Sequence, residues 1–249
     1  GAIIHGVDLD RPLERKEIDF LKTAINDFEV VFFRDQPINP KSHVRFARYF
    51  GVPQLHEAYG NLNGYPEITI LENNLANPSK IEAWHSDMTF RSCPPSGSVL
   101  HGLIIPERGG DTMFASMSAA FEGLSDKMRS FLSGLTAVHD FSHGFKESIN
   151  EPGGRERLHE MIQNNPPVEH PVIRTHPDSG KKGIFVNSLF TLEIKDMKQR
   201  ESSSLLKFLC EHLTLPEFTC RFKWEKDSVA FWDNRITQHK PVNDYWPAE

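Results

Sequence analysis

The stretch SVAFWDNRITQH, residues 228–239, decides how the fold is interpreted. Its first half, residues 228–233, carries the apolar and aromatic run VAFW between Ser228 and Asp233, which predicts a buried strand. The strand ends in the turn Trp-Asp-Asn-Arg at residues 232–235, and His239 lies just beyond that turn. An imidazole in this position could be held rigidly at the mouth of a β-barrel, where ligand sites are common.

The rest of the chain also contains many short strand patterns separated by Gly, Pro or Asp-Ser turns. Further strands are predicted at residues 29–33 (EVVFF), 67–71, 98–105, 111–115, 172–176, 183–187 and 218–224. Helices are predicted at residues 14–27, 42–50, 126–134, 155–163 and 201–213. This order predicts a mainly β fold with flanking helices, a sandwich or barrel, rather than a doubly wound parallel sheet.

Length and composition set limits on the function. The chain has 249 residues, of which 38% are hydrophobic, which predicts a single domain over residues 1–249. Its net charge of -6 argues against nucleic-acid binding and favours a small-molecule ligand. No apolar run approaches the roughly 18 residues of a membrane span, so we expect a soluble, cytoplasmic protein without a membrane partner. The spacing of Cys93, Cys210 and Cys220 predicts reduced thiols.

A candidate metal site begins at Trp84-His85-Ser86-Asp87. In an extended segment, residues i and i+2 point to the same face, so His85 and Asp87 could bind one ion. A facial site of two histidines and one carboxylate needs a third ligand, for which we select His239. The same three residues could also bind zinc and a water molecule, which would make the protein a hydrolase.

Several motifs along the chain resemble, in order, those of the taurine dioxygenase family, which also contains alkylsulfatase and phenoxyalkanoate dioxygenases. The resemblance extends over nearly the whole chain. The motifs are Gly6-Val7-Asp8-Leu9, Phe32-Phe33-Arg34-Asp35-Gln36, Trp84-His85-Ser86-Asp87, Pro94-Pro95, Gly109-Gly110-Asp111-Thr112, and Trp232-Asp233-Asn234-Arg235 with His239.

The resemblance implies a double-stranded β-helix, or jelly roll, in which His85, Asp87 and His239 hold iron(II). It also implies that 2-oxoglutarate is the co-substrate and that dioxygen reacts at the iron to hydroxylate a small anionic substrate. Thr112 matches the threonine that binds the far carboxylate of 2-oxoglutarate. The arginines that anchor 2-oxoglutarate and the substrate would lie beyond residue 249, so we expect a C-terminal segment to be missing from this sequence. Arg235 is a poor replacement because it belongs to the turn.

The resemblance also suggests the substrate. His56 and Tyr59 match the pair that recognises a sulfonate and an amine, and Phe145 and Phe190 match the pocket phenylalanines. These matches favour taurine or another alkanesulfonate, with release of sulfite. Two positions depart from the taurine pattern, since Ile81 replaces an asparagine and Gly144 replaces a serine. Losing an amide should disfavour an amine and favour a more apolar tail.

The same residues also fit other functions. An alkyl sulfate or an aryloxyalkanoate could be the substrate of a dioxygenase in the same family. A zinc hydrolase on the same ligands and a non-catalytic jelly roll that binds a ligand are the candidates from other classes. The family often forms dimers or tetramers, so a homo-oligomer is expected.

Overall fold

The computed structural model describes residues 1–55, 60–74 and 81–246. Its strands are β1 (Ala2–Ile3), β2 (Val30–Phe33), β3 (Asn61–Leu62), β4 (Tyr65–Thr69), β5 (Gly97–His101), β6 (Thr112–Ser116), β7 (Thr136–His139), β8 (Val168–Pro171), β9 (Ile173–Thr175), β10 (Lys182–Ile184), β11 (Thr191–Ile194), β12 (Thr219–Phe222), β13 (Val229–Asp233) and β14 (Thr237–Pro241). Its helices are α1 (Arg15–Phe28), α2 (Pro40–Arg48), α3 (Met117–Glu122), α4 (Asp126–Leu132), α5 (Phe141–Gly144), α6 (Lys146–Asn150), α7 (Gly154–Arg157), α8 (His159–Asn164) and α9 (Gln199–Leu213).

Two β-sheets pack face to face around the centre of the molecule. One has the strand order β1-β2-β13-β5 and the other has the order β12-β6-β14. Aromatic side chains from both sheets meet between them: the rings of Phe32 and Phe222 stack with centroids 4.0 Å apart, and Phe114 lies 5.7 Å from Trp232. The predicted β core with flanking helices is therefore confirmed, and the space between these sheets is where the candidate site opens.

Strand β2 shows why an uninterrupted apolar run is needed at this position. Alternate residues of a strand point to opposite faces of its sheet. Val30 and Phe32 face the opposing sheet, whereas Val31 and Phe33 face a second core formed with helix α1. Both faces of β2 are therefore buried, which explains a sequence without polar alternation.

The first two helices have clear start signals. A capping box joins Glu14 and Glu17 at the N-terminus of α1, and the Asn39 side chain accepts a hydrogen bond from the Ser42 amide at that of α2. Helix α1 buries Leu21, Ala24 and Ile25 on one face. These features confirm two helices that pack against the outer face of the β2 sheet.

Some elements differ from the sequence-based prediction. The single helix predicted at residues 155–163 is wrong, because Leu158, with φ of -100° and ψ of 5°, separates α7 from α8. Strands β7, β8, β11 and β14 were not predicted, and β14 contains His239. Within the described part of the chain, no helix has the length and apolar character needed to cross a membrane. All three cysteines are free thiols.

A buried histidine makes the fold sensitive to acid. His139 on β7 is fully buried, and this burial, with a smaller contribution from nearby His170, lowers its pKa to about 3. The unfolded chain protonates this imidazole below about pH 6.5, whereas the folded chain does not, so stability falls as the pH drops from about 6.5 towards 3. The expected loss is about 1.4 kcal/mol for each pH unit within that window.

We predict that His139→Gln makes the free energy of unfolding less dependent on pH between 4.5 and 6.5. Urea unfolding at several pH values measures this slope, separately from any loss of packing that is constant with pH. The exposed His159 supplies the control, because His159→Gln should leave the slope unchanged. An unchanged slope in His139→Gln would contradict the prediction.

Candidate active site

The backbone places His85 and His239 side by side. Each of the two residues donates its amide hydrogen to the carbonyl of the other, with N···O distances of 3.0 and 2.8 Å. The two imidazole rings consequently lie with their centroids 4.2 Å apart. Strand β14 holds His239 opposite Phe114 of β6, and this pairing fixes one half of the site to the sheet.

Asp87 completes a group of three ligand residues. Its Oδ1 atom lies 3.7 Å from Nε2 of His85 and 3.6 Å from Nε2 of His239. The ligand atoms of all three residues lie within 4.8 Å of one another. These distances are too long for hydrogen bonds but suit three groups that surround a common ion. The structure thus brings together the three residues predicted as metal ligands.

Both histidines present a nitrogen that can bind a metal. Nδ1 of His85 lies 2.9 Å from the carbonyl oxygen of Ala83, which can only accept, so Nδ1 carries a hydrogen and Nε2 is the ring nitrogen that faces Asp87. Burial, followed by the neighbouring His85, lowers the pKa of His239 to about 3. His239 is therefore neutral at neutral pH, as metal binding requires. Two imidazoles and one carboxylate fit iron(II) in a facial site.

The Trp-Asp-Asn-Arg turn positions Asp87. The Asn234 side chain accepts a hydrogen bond from the Asp87 amide at 2.6 Å and donates to the Asp87 and Pro95 carbonyls at 2.8 and 3.1 Å. Ser98 on β5 donates to Oδ2 of Asp87 at 2.6 Å, which leaves Oδ1 directed towards the histidines. Neither Asn234 nor Ser98 was predicted to have a role, although Asn234 is part of the Trp-Asp-Asn-Arg motif.

Arg235 belongs to a separate ion-pair network. Its guanidinium donates to both carboxylate oxygens of Asp233 and lies 2.9 Å from Asp178. Asp233 also interacts with the buried His176, 2.9 Å away. With its donors committed to these carboxylates, Arg235 is poorly suited to bind a free anion, in agreement with the sequence-based expectation.

A cavity of about 1800 Å³ opens at the three ligand residues. Other residues that the sequence singled out also line it, namely Ile81, Thr112, Gly144, Phe145 and Phe190. The cavity therefore combines metal-binding atoms, a hydroxyl group and an apolar wall. His56 and Tyr59, the predicted sulfonate-binding pair, lie outside the described residues.

The apolar wall of the cavity is a cluster of phenylalanines. The Phe190 ring is 6.4 Å from the His85 ring and 6.3 Å from the Phe145 ring. Phe90 joins the same cluster, at 5.0 Å from Phe190, and was missed by the sequence analysis. Its position three residues after Asp87 is the signal that could have suggested it.

Gly144 is explained by the same cluster. A Cβ atom at residue 144 would overlap the Phe190 ring, so any larger residue at this position would clash with that ring. We predict that Gly144→Ser displaces Phe190, lowers the free energy of unfolding by about 1–3 kcal/mol and reduces turnover of bulky substrates. Chemical denaturation and steady-state kinetics would measure these effects.

Gly134 offers the matched control for this substitution. A Cβ atom there meets no atom within 4 Å, so Gly134→Ser should leave both stability and turnover near the values of the unchanged protein. Equal effects of the two substitutions would show that contact with Phe190 does not limit the size of the side chain at residue 144.

Two histidines and one carboxylate at the mouth of a β-sheet cavity are typical of non-haem iron(II) oxygenases. The chain belongs to the taurine catabolism dioxygenase TauD, TfdA family, whose model matches residues 1–249.

Similar proteins agree with this assignment. The alkylsulfatase of Acinetobacter baylyi is 35% identical over 98% of this chain and 78% of its own length. The alpha-ketoglutarate-dependent sulfate ester dioxygenase of Pseudomonas putida is 32% identical over 98% of this chain and 82% of its own. A crystal structure of a taurine dioxygenase from Burkholderia xenovorans is 38% identical, with a TM-score of 0.81 over 97% of this chain and 79% of that one.

The protein is thus an iron(II)- and 2-oxoglutarate-dependent dioxygenase (alpha-ketoglutarate is another name for 2-oxoglutarate) that acts on a small molecule with dioxygen. The three ligand residues fit the metal that this family uses. This assignment favours the predicted oxygenase over the alternative zinc hydrolase.

Proposed function

We propose that this dioxygenase hydroxylates the carbon that bears sulfur in an alkanesulfonate with an apolar tail. The observation that carries the proposal is the cavity, in which the three ligand residues face a wall formed by Phe145 and Phe190. Ile81 lines the same cavity at the position where the taurine pattern has an amide. An apolar side chain there favours an alkyl tail over the ammonium group of taurine.

In this proposal, His85, Asp87 and His239 hold iron(II). When bound with 2-oxoglutarate and dioxygen, the iron supplies the oxidising power that replaces a C–H bond of the substrate by C–OH. Three protein ligands in a facial arrangement leave room for the co-substrate and dioxygen. The hydrogen bond donated by Ser98 orients the Asp87 carboxylate, and the two hydrogen bonds between Asn234 and the Asp87 backbone fix the chain at that residue.

The other residues hold the organic molecules. Thr112 donates its hydroxyl hydrogen to the far carboxylate of 2-oxoglutarate, while Phe145 and Phe190 pack against the substrate tail and exclude water. His56 and Tyr59 bind the anionic group of the substrate. Hydroxylation gives R–CH(OH)–SO3⁻, which loses its hydroxyl proton as the C–S bond breaks to form an aldehyde and hydrogen sulfite. The second oxygen atom enters succinate as 2-oxoglutarate loses carbon dioxide.

A second candidate is an alkyl sulfate, because two similar proteins are an alkylsulfatase and a sulfate ester dioxygenase. Hydroxylation of the carbon next to the ester oxygen would release an aldehyde and sulfate instead of sulfite. The apolar wall formed by Phe145 and Phe190 would take the alkyl tail of either substrate, so the inorganic product distinguishes the two candidates. An aryloxyalkanoate is a third substrate in the same family and would release a phenol.

The experiment compares hexanesulfonate, hexyl sulfate, taurine and phenoxyacetate at equal concentrations with iron(II), 2-oxoglutarate and oxygen. We expect succinate and sulfite to appear together from hexanesulfonate, with kcat/KM at least about tenfold above that for taurine because the tail buries several methylenes. Reactions without substrate control for uncoupled succinate formation, and His85→Ala controls for succinate formed without bound iron. Succinate with sulfate alone would move the assignment to alkyl sulfates, and a preference for taurine would contradict the role of Ile81.

Three broader features complete the proposal. The two facing sheets are part of a double-stranded β-helix, the enzyme is a homo-oligomer of two or four subunits, and it acts in the cytoplasm. Similarity to the taurine dioxygenase structure supports the first feature. Light scattering of the purified enzyme would test the second.

A further inference from the structure

Thr112 receives a hydrogen bond from a tryptophan. The indole Nε1 of Trp224 lies 2.9 Å from Oγ1 of Thr112. An indole N–H can only donate, so the Thr112 oxygen must be the acceptor. A threonine hydroxyl has one hydrogen and two lone pairs, and this contact uses a lone pair. No acceptor for the hydroxyl hydrogen is found in residues 1–55, 60–74 and 81–246, so that hydrogen remains available to a ligand.

The indole is held firmly in place. Trp224 is 6% exposed, and its ring meets the edge of Phe222 at 5.0 Å with an interplanar angle of 82°. On another side it approaches Gly102, where a Cβ atom would lie only 3.1 Å from the indole Cε3. Packing on these sides limits rotation of the indole, so its N–H stays directed at Thr112.

Both residues face the cavity that contains the three ligand residues. Thr112 is 9% exposed, so few water molecules compete for its hydroxyl hydrogen. A hydrogen bond received by the oxygen polarises the O–H group and strengthens its own donation to an anion. Donation to a carboxylate is among the stronger hydrogen bonds in proteins.

We propose that Trp224 is a positioning residue for 2-oxoglutarate. Its indole N–H fixes the Thr112 hydroxyl, so that the hydroxyl hydrogen points to the far carboxylate of 2-oxoglutarate. This inference rests on the proposed role of Thr112. Trp224 acts through Thr112 and has no contact of its own with the co-substrate. The effect of Trp224 on the affinity for 2-oxoglutarate must therefore depend on both the threonine hydroxyl and the far carboxylate.

A double-mutant cycle tests the inference by binding rather than turnover. Calorimetry measures the Kd for 2-oxoglutarate in the Mn(II)-loaded protein, for Thr112→Val, Trp224→Phe and the double variant. We expect Thr112→Val to raise Kd by about 10- to 100-fold and Trp224→Phe by about 3- to 10-fold. In the Thr112→Val background, Trp224→Phe should change Kd by less than about twofold, because no hydroxyl remains to be oriented.

A shortened ligand separates positioning from packing. 2-Oxopentanoate keeps the keto acid but lacks the far carboxylate, so Trp224→Phe should leave its Kd unchanged. Trp246→Phe controls for the loss of an indole that does not bond Thr112, since Trp246 stacks on Tyr245 and the indole that donates to Thr112 is that of Trp224. If Trp224→Phe fails to fold, replacing Trp224 by benzothienylalanine removes the N–H and preserves the ring shape.

Several outcomes would overturn the inference. These are an unchanged Kd for 2-oxoglutarate in Trp224→Phe, an equal loss of affinity for both keto acids, or the same loss in the Thr112→Val background. Failure of the unsubstituted protein to bind 2-oxoglutarate would instead contradict the proposed function. The two failures can thus be distinguished within one set of titrations.

Discussion

His239→Ala is expected to abolish iron binding and turnover. The variant removes one of only two imidazoles in the group of three ligand residues, and Asp87 then faces a single histidine. Alanine cannot replace a nitrogen ligand, and water would have to bind in its place. We expect iron affinity to fall by more than about 100-fold, since even the loss of residues that only orient ligands costs 10- to 100-fold.

The measurement is iron content after anaerobic reconstitution, followed by succinate formation in air. His159→Ala provides the matched control, because this exposed histidine lies on α8 and should leave both quantities unchanged. Circular dichroism separates loss of the metal from loss of the fold. Full activity in His239→Ala would show that the ligand assignment is wrong.

Asn234→Ala is expected to damage both stability and iron binding. Asn234 is 1% exposed and makes three hydrogen bonds, two with the backbone of Asp87 and one with Pro95. Alanine leaves those partly buried backbone groups without partners, which should lower the free energy of unfolding by roughly 3 kcal/mol. The segment that carries Asp87 loses its support, and we expect iron affinity to fall by about 10- to 100-fold.

Denaturant unfolding and an iron titration would measure the two effects. Asn234→Asp is an informative intermediate, since it keeps the acceptor for the Asp87 amide and loses both donated hydrogen bonds. Asn164→Ala, at an exposed position on α8, is the control. If Asn234→Ala bound iron with unchanged affinity, the turn at residues 232–235 would not be needed to position the metal ligand.

Much of the fold follows from local patterns. The apolar run at residues 29–33 predicted β2 because both faces of that strand are buried, and the run before Asp233 predicted β13 for the same reason. Helix α1 followed from its apolar spacing. In these segments, local preference and tertiary burial agree, so the sequence is sufficient to predict them.

Other elements could not be predicted locally. Strand β14 has the sequence TQHKP, which lacks the apolar alternation of a strand and has Thr237 as its single β-branched residue. It is extended because it pairs with β6 and because its His239 exchanges two backbone hydrogen bonds with His85. Those partners are distant in the sequence, so no local pattern shows them.

The candidate site likewise has one part that the sequence predicts and another that depends on tertiary contacts. The ordered motifs predicted His85, Asp87, His239 and Thr112 as site residues, but spacing alone left the third ligand open among 12 histidines. The role of Asn234 and the contact between Trp224 and Thr112 depend on pairs that are 147 and 112 residues apart. Such contacts form only when the sheets have assembled.

The stretch at residues 228–239 shows both what the local sequence determines and what only the tertiary structure decides. Its own sequence determined a buried strand, a turn and a histidine beyond it, because apolar burial and turn formation depend on neighbouring residues. Only the tertiary structure decided that Asn234 holds Asp87 and that His239 lies beside His85. Hydrogen bonds and metal-ligand geometry require atoms within a few ångströms of one another, and for residues this far apart in the chain, folding alone sets those distances.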